Sequence, residues 1–546
     1  MSTTCPAPFP ANGQSAVTHE QAMQRMQAMA HQLPAKLSTD CESRIQVGIF
    51  FDGTNNNMKL DYEDLPPEKR KHTNIVKLFQ AFPYKPESGL ISYYIPGVGT
   101  PFPEIGDNNK PSQTFNIGSS VAEMGEHRII WAMCQMVNAP HEHVKGAKNL
   151  LITDSTAKAT CTTLSDVTTP AALRRSTFTT WQNKLKTALR PNKPRVVQIN
   201  LSVFGFSRGA AEARVFVNWL LDVCDKRGNQ YFFADIELNV AFLGIFDTVA
   251  SVGTANLFDN GVLTGHQGWA NNALEIHPAV RRCVHYVAAH EVRACFPLDS
   301  VRVKSQYPTN ALEVMYPGVH SDVGGGYAPG EVGAGPRPAD NLSIIPGRDM
   351  YEAARNAGVP LTPWAKLPDY VIAAWTPSEE LIKSYNSYLK NCGVGPGSVE
   401  QMHHQHMALH HSYRYKWRRE FLTRKMAYIR ANTQPEKQNL LDVQNRFIRA
   451  IGFGLVDHYR SDELPRDVAN RFENMSQASG IPMSTHERRA LDVARSINPQ
   501  HITTAVEHLF DWFMHDSIAG FKADLDEYAF NKLGLAKFRT VYKGND

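Results

Sequence analysis

Four apolar runs, each short enough to be a buried strand, end in clusters of small and polar residues. Residues 45–51 lead into Asp52-Gly53-Thr54-Asn55-Asn56-Asn57, and residues 196–204 into Gly205-Phe206-Ser207-Arg208-Gly209. Residues 238–246 lead into Asp247-Thr248, and residues 312–319 into His320-Ser321-Asp322. Runs rich in β-branched and aromatic residues, each followed by a helical stretch, are the pattern of βα units that build a parallel sheet. In such a sheet, ligands and reactive groups gather beyond the carboxyl ends of the strands. The expected fold is therefore α/β around a mostly parallel sheet, with all four polar clusters on one edge.

The 546 residues, 42% of them hydrophobic, are enough for a large core plus an appendage. Residues 1–42 read as a polar N-terminal arm, with a helix expected near residues 21–32. Residues 43–330 read as the α/β core, carrying an insertion at about 85–190. That insertion is far longer than one crossover needs and is expected to supply lid or substrate-access structure, with a helix near 121–135 and a Thr/Ser-rich loop at 153–169. Pro and Gly after Tyr327 mark a boundary. Residues 331–546 are expected to be mainly helical, ending in one apolar face formed by Ile502, Ala505, Val506, Leu509, Phe510 and Phe513.

Composition excludes several classes. The 57 Lys and Arg nearly balance 53 Asp and Glu, a net charge of +4, so there is no basic excess for a nucleic-acid backbone. No apolar run approaches the roughly 18 residues of a membrane span. The first 39 residues lack the basic and apolar regions of a secretory signal peptide, so a cytoplasmic protein, or one exported by another route, is expected. The eight cysteines show no CxxC spacing, which points to buried thiols, with no metal or cofactor expected.

Gly205-Phe206-Ser207-Arg208-Gly209 fits G-x-S-x-G, with an apolar strand before it and Ala210, Ala211 and Ala213 opening a helix after it. A tight strand-to-helix turn of this kind holds the serine in a strained conformation, and glycines at both flanks avoid clashes. It also puts the Arg208 N–H at a helix N-terminus, where it can stabilise an oxyanion. A serine needs a histidine to take its proton and an acid to orient that histidine. In hydrolase order the acid comes next and the histidine last, which selects Asp247 and His320. The alternatives for the base are His290 and His285, the latter expected to be packing, and for the acid Asp259, Asp322 and Asp52.

The Asp52-Gly53-Thr54 loop is expected to provide the second oxyanion donor, from Gly53 or Thr54, with Asp52 shaping the turn. Asp322 and Gly324, in the stretch Gly324-Gly325-Gly326, are expected to support the His320 loop. A phosphatase reading of Phe50-Phe51-Asp52-Gly53-Thr54 fails because Phe50 stands where the attacking aspartate would be.

Together, Phe50 to Asn57, Gly205-Phe206-Ser207-Arg208-Gly209-Ala210, Phe246-Asp247-Thr248-Val249-Ala250-Ser251 and His320-Ser321-Asp322-Val323-Gly324-Gly325-Gly326-Tyr327 resemble the first family of type VI secretion lipase effectors. The resemblance covers roughly residues 44–330, with Asp516-Ser517 a fainter echo. It implies an α/β-hydrolase phospholipase A that needs no cofactor and has Ser207, Asp247 and His320 as its triad. It further implies delivery by a contractile machine into the periplasm of a rival bacterium, a spike component as carrier and a cognate immunity protein. Family members differ in their aspartate, which makes Asp247 the least constrained member of the triad.

A phospholipase must also meet a membrane. Residues 401–430 interleave five histidines, several aromatics and a run of cations, and Arg414, Trp417, Arg418 and Arg419 are the candidate membrane or partner contacts. A basic helix whose aromatics face the core fits the same pattern. Two further readings remain from the residues: a soluble carboxylesterase or thioesterase, and a non-catalytic interaction module on a hydrolase scaffold.

Overall fold

A computed structural model describes residues 2–11, 13, 19–32, 41–108, 124–165, 169–250, 273–521 and 535–543. Ten strands are described: β1 Glu42–Phe51, β2 Leu90–Ile95, β3 Arg195–Phe206, β4 Asp225–Arg227, β5 Gln230–Phe233, β6 Ile236–Phe246, β7 Cys283–Ala288, β8 Leu298–Ser300, β9 Ala311–Tyr316 and β10 Val541–Lys543. Six of them form a parallel sheet in the order β2-β1-β3-β6-β7-β9. The β4–β5 hairpin adds antiparallel to the early part of β6, and β10 pairs with β8 in a separate two-stranded ribbon.

Strand alternation explains the two layers. Ile45, Val47, Ile49 and Phe51 of β1 and Ile199, Leu201 and Val203 of β3 face one core, with the helices Gly125–Lys145 and Arg208–Asp222. Phe50, Phe204, Phe206, Phe242 and Phe246 face the other, with the helices Asn74–Ala81 and Ile344–Asn356. Each such side chain stabilises the fold by about 1.5–3 kcal/mol when fully buried. β6 changes phase midway: Leu238 and Val240 share a face with Leu243 and Ile245, an odd step that the register shift opposite Leu201 and Ser202 accommodates.

The same register aligns the strand ends. Phe51 lies opposite Gly205, Phe206 opposite Phe246, Phe246 opposite Tyr286, and Ala288 opposite Tyr316. Asp52, Ser207, Asp247 and the loops after β7 and β9 therefore leave the sheet at one edge. The chain runs outward in opposite directions from β1 and β3, so this edge includes a topological switch point.

The segment 85–190 holds β2 followed by helices Gly125–Lys145, Asp154–Leu164 and Ala171–Leu189, the first of them buried along most of its length. Two features differ from expectation. The expected Thr/Ser-rich loop is largely helix, because Thr153 caps it and Thr160, Thr162 and Thr163 return their hydroxyls to the carbonyls of Thr156, Lys158 and Ala159. The N-terminal stretch is not a free arm, since Thr3 and Thr4 bond to Gly397, Glu313 and Met315 of the core, and Phe9 is buried. The expected N-terminal helix spans His19–Gln32, and of the terminal apolar face Ala505, Val506, Leu509 and Phe510 lie on the helix Thr504–Trp512, with Ile502 and Phe513 just beyond its two ends. No described helix is long and apolar enough to cross a membrane.

Candidate active site

Ser207 sits between β3 and the helix Arg208–Asp222 with φ 58° and ψ −126°, a left-handed strain that a non-glycine residue tolerates only when its surroundings hold it. Those surroundings are backbone. Ser207 N donates to Phe246 O at 3.0 Å, and Val249 N donates to Ser207 O at 3.2 Å. Both flanking glycines are needed. A Cβ on Gly205 would lie 2.4 Å from Gly209 O, and one on Gly209 would lie 2.3 Å from Asp52 O.

His320 opens the short helix His320–Gly324, and its Nδ1 lies 2.5 Å from Asp247 Oδ2. Its ring packs on Phe206, the residue before Ser207, at 4.6 Å between centroids, and against Phe296 at 4.8 Å. The Phe206 contact sets the histidine against the residue that precedes Ser207. It also accounts for Gly324, where a Cβ would meet the Phe206 ring at 2.0 Å.

Asp247 is fully buried and has φ 39°. Burial alone would raise its carboxyl, but the charge of Arg539 and the hydrogen bonds from His320 and Arg539 hold it well below the ordinary carboxylate range. An ionised Asp247 accepts only, so His320 Nδ1 carries the proton and Nε2 is left as the basic nitrogen. Burial keeps the imidazole below its ordinary 6.5, and Asp247 offsets this only in part. A neutral histidine oriented by a carboxylate, beside a strained serine, can accept a proton from that serine.

The rival bases are occupied elsewhere. His290 Nδ1 accepts from Gly318 N at 2.9 Å, and its Nε2 lies 3.3 Å from Tyr388 Oη. His285 Nδ1 lies 3.1 Å from Glu313, and its Nε2 lies 3.1 Å from both Thr248 N and Oγ1. Among the rival acids, Asp259 lies outside the described residues. Asp322 accepts from Val319 N at 3.1 Å and lies 2.6 Å from His515 Nδ1, so it fastens the His320 turn to the C-terminal region.

Asp52 takes Gly53 N at 2.8 Å, Thr73 Oγ1 at 2.6 Å and Tyr94 Oη at 2.6 Å. Burial pushes its carboxyl up to about 7 against the pull of these donors. This arrangement uses the Gly53 N–H expected as an oxyanion donor. Thr54 instead receives Arg208 Nε on its hydroxyl at 2.7 Å, tying the β1 loop to the serine turn. The Arg208 N–H, first in its helix, has no intrahelical acceptor.

Several contributors carry no sequence signal. Glu291 accepts His320 N at 3.2 Å and is gripped by Arg293 at 2.8 Å and by Ser517 at 3.1 Å. Arg539, near the chain's end, donates to both oxygens of Asp247 at 2.8 Å. Asp516-Ser517, a family likeness in the sequence, lies in the same C-terminal region, but nothing local places that region at this site.

The candidate surface residues mostly turn inward. On the helix Val399–Lys416, His403, His406, His410 and His411 are buried. Arg414 pairs with Asp516, and Trp417 Nε1 donates to Glu507 at 3.0 Å. Arg418 donates to the carbonyls of His458, Tyr415 and Ser461, whereas Arg419 stays at the surface beside Asp462. No group of three metal-ligating side chains occurs among the described residues.

Fold and strand-edge site place the chain among mostly parallel α/β proteins of hydrolase-like architecture. The family model described as "T6SS, Phospholipase effector Tle1-like, catalytic domain" matches residues 46–228 and 223–353, more than half the chain. The chain belongs to this Tle1-like family of type VI secretion phospholipase effectors. The crystal structure of an uncharacterized protein from Pseudomonas aeruginosa is similar in fold, with TM-score 0.74 and 24% identity over 100% of this chain and 85% of that one. The structure of the Tle1 effector bound to the VgrG spike from the Type 6 secretion system also matches, at 24% identity over 55% of this chain and 54% of that one, with TM-score 0.27. No curated protein matches the chain.

Proposed function

We propose that the chain hydrolyses acyl esters of glycerophospholipids through an acyl-enzyme on Ser207. His320 Nε2 takes the Ser207 proton as Oγ bonds to the ester carbonyl carbon, and Asp247 steadies the imidazolium that forms. The Arg208 N–H stabilises the oxyanion, with the Thr54 N–H as the second donor, since Asp52 occupies that of Gly53. The ester C–O bond then breaks and His320 returns the proton to the departing lysophospholipid alkoxide. Water, deprotonated by the same histidine, attacks the acyl-enzyme, and fatty acid leaves with Ser207 restored.

The observation that carries this reading is the 2.5 Å contact of His320 Nδ1 with buried Asp247, set against the Phe206–Ser207 turn. Membership of a phospholipase family supplies the substrate class. The reading extends to the cell: made in the cytoplasm, carried on a type VI spike component, delivered to the periplasm of a rival bacterium and neutralised by a cognate immunity protein. A competition assay between producers and immunity-deficient recipients tests that extension.

The chemical test is fatty-acid release from phosphatidylethanolamine and phosphatidylglycerol vesicles, with a short soluble ester alongside. Ser207→Ala is expected to reduce turnover by as much as about 10⁶-fold with the fold intact, and His320→Ala to fall comparably. A folded Ser207→Ala that hydrolyses near the wild-type rate would overturn the assignment. Cleavage of the soluble ester alone would move the protein to the general esterases, and cleavage of neither substrate to the interaction modules.

A further inference from the structure

We propose that Arg539, delivered by the C-terminal segment, is a positioning residue for hydrolysis, holding the Asp247 carboxylate in the plane from which it orients His320. This rests on the triad reading above. Arg539 and Asp247 are 292 positions apart, and Arg539 lies far beyond the family-matched residues 46–353.

The contact is a parallel fork. Nη1 meets Oδ1 and Nη2 meets Oδ2, both at 2.8 Å, the two-point geometry that fixes a carboxylate's plane as well as its charge. Both side chains are buried, 1% and 0% exposed, so solvent does not screen the pair. Oδ1 also accepts Ala288 N at 2.8 Å, and Oδ2 faces His320 Nδ1. Without the fork, Asp247 would keep one backbone donor and the histidine, leaving its rotation about the Cβ–Cγ bond less constrained.

The arginine is itself held from several sides. Its Nε donates to Phe296 O at 2.7 Å, and its backbone N–H donates to His403 Nε2 at 2.9 Å. Leu298 N donates to Thr540 O at 2.9 Å, and β10 then pairs with β8 from Val541–Leu298 to Lys543–Ser300. Phe296, which anchors Nε, also packs its ring on His320. One short strand pairing thus sets the arginine, and through it the aspartate and the base. The other ionisable groups bearing on His320 are Glu291 and Arg293, from the segment after β7.

The test compares wild type, Ser207→Ala, Arg539→Gln and Arg539→Lys as full chains on the soluble ester and on vesicles, with thermal unfolding of each. Arg539→Gln is expected to lose about 10²-fold in kcat with KM little changed. Removing a cation from beside Asp247 leaves the carboxylate less compensated, so His320 becomes easier to protonate. The acid limb of the Arg539→Gln profile should therefore move to higher pH by about one unit. Millimolar guanidinium chloride should restore part of its kcat. Arg539→Lys, which keeps the charge but not the fork, should lose roughly tenfold with a smaller shift.

A folded Arg539→Gln within twofold of wild-type kcat and with an unmoved acid limb would overturn the proposal. So would a loss of activity with neither an acid-limb shift nor guanidinium rescue, since a purely structural arginine predicts that result. If Arg539→Gln does not fold, Arg539→Lys decides, and wild-type kcat there would overturn the two-point hold. Activity retained by Ser207→Ala would instead refute the triad reading itself.

Discussion

Gly209→Ala sets two physical effects against each other. Gly209 lies in the first turn of the helix Arg208–Asp222, where exchanging glycine for alanine should by propensity alone stabilise by about 1 kcal/mol. The added Cβ, however, would stand 2.3 Å from Asp52 O and 2.6 Å from Phe51 O, where ordinary contact begins at 3.4 Å. Both obstacles are main-chain atoms at the end of β1, so no side chain can swing away. The helix start must retreat by about 1 Å, and overpacking of that kind costs about 1–3 kcal/mol. The net effect expected is destabilisation of about 0–2 kcal/mol in urea unfolding. Activity should suffer more, because the retreat moves Ser207 and the Arg208 N–H together, and a misplacement of about 1 Å costs on the order of 10²-fold in kcat/KM. Steady-state hydrolysis of a short soluble ester measures this without membrane binding. A variant about 1 kcal/mol more stable than wild type, with kcat/KM within twofold, would refute the steric argument and the geometry of the turn with it.

The pH dependence follows from His320. In the proposed mechanism its neutral form is the base, burial holds it below 6.5, and Asp247 stays ionised throughout that range, so kcat/KM should fall as pH drops through a midpoint below 6.5 and stay level above it. A midpoint at or above 7 would contradict the buried setting. The arginines of the 401–430 region should separate by burial. Arg418→Ala strips the donors from three carbonyls and should lower unfolding free energy by roughly 2–4 kcal/mol, whereas surface Arg419→Ala should change it by less than about 0.5 kcal/mol. Equal effects in urea titrations would show that the inward placement of Arg418 is wrong.

What could be read along the chain was local. The serine turn needs only a strand, two glycines and a small-residue helix within a few positions, so its signal is complete in the sequence around Ser207. Strand ends at Phe51 and Phe246 were legible for the same reason, since those apolar runs stop where the chain leaves the sheet, whereas β3 runs on past residue 204 to Phe206 and β9 stops at Tyr316, short of residue 319. The 153–169 stretch misled because threonine and serine disfavour a helix on average, and only the capping hydroxyl of Thr153 and the back-bonded threonines of the helix Asp154–Leu164 satisfy them there. The 401–430 stretch left two readings open, a docking surface and a helix turned toward the core. Its cations and histidines have the composition of a docking surface, but partners distant in sequence, such as Asp516 for Arg414 and Glu507 for Trp417, draw them inward.

The parallel α/β frame and the strained turn at Ser207 follow from the order of residues along the chain, because strand periodicity and turn chemistry act between near neighbours. Which donors remain free and which charges meet depends on segments that only folding brings together. Folding committed the Gly53 N–H to Asp52, turned His285 and His290 to other partners, and brought Thr3 to Glu313 and Arg539 to Asp247. A buried charge is stable only beside its complement, and that complement can come from any point of a chain that folds back on itself. No local pattern records which one it will be.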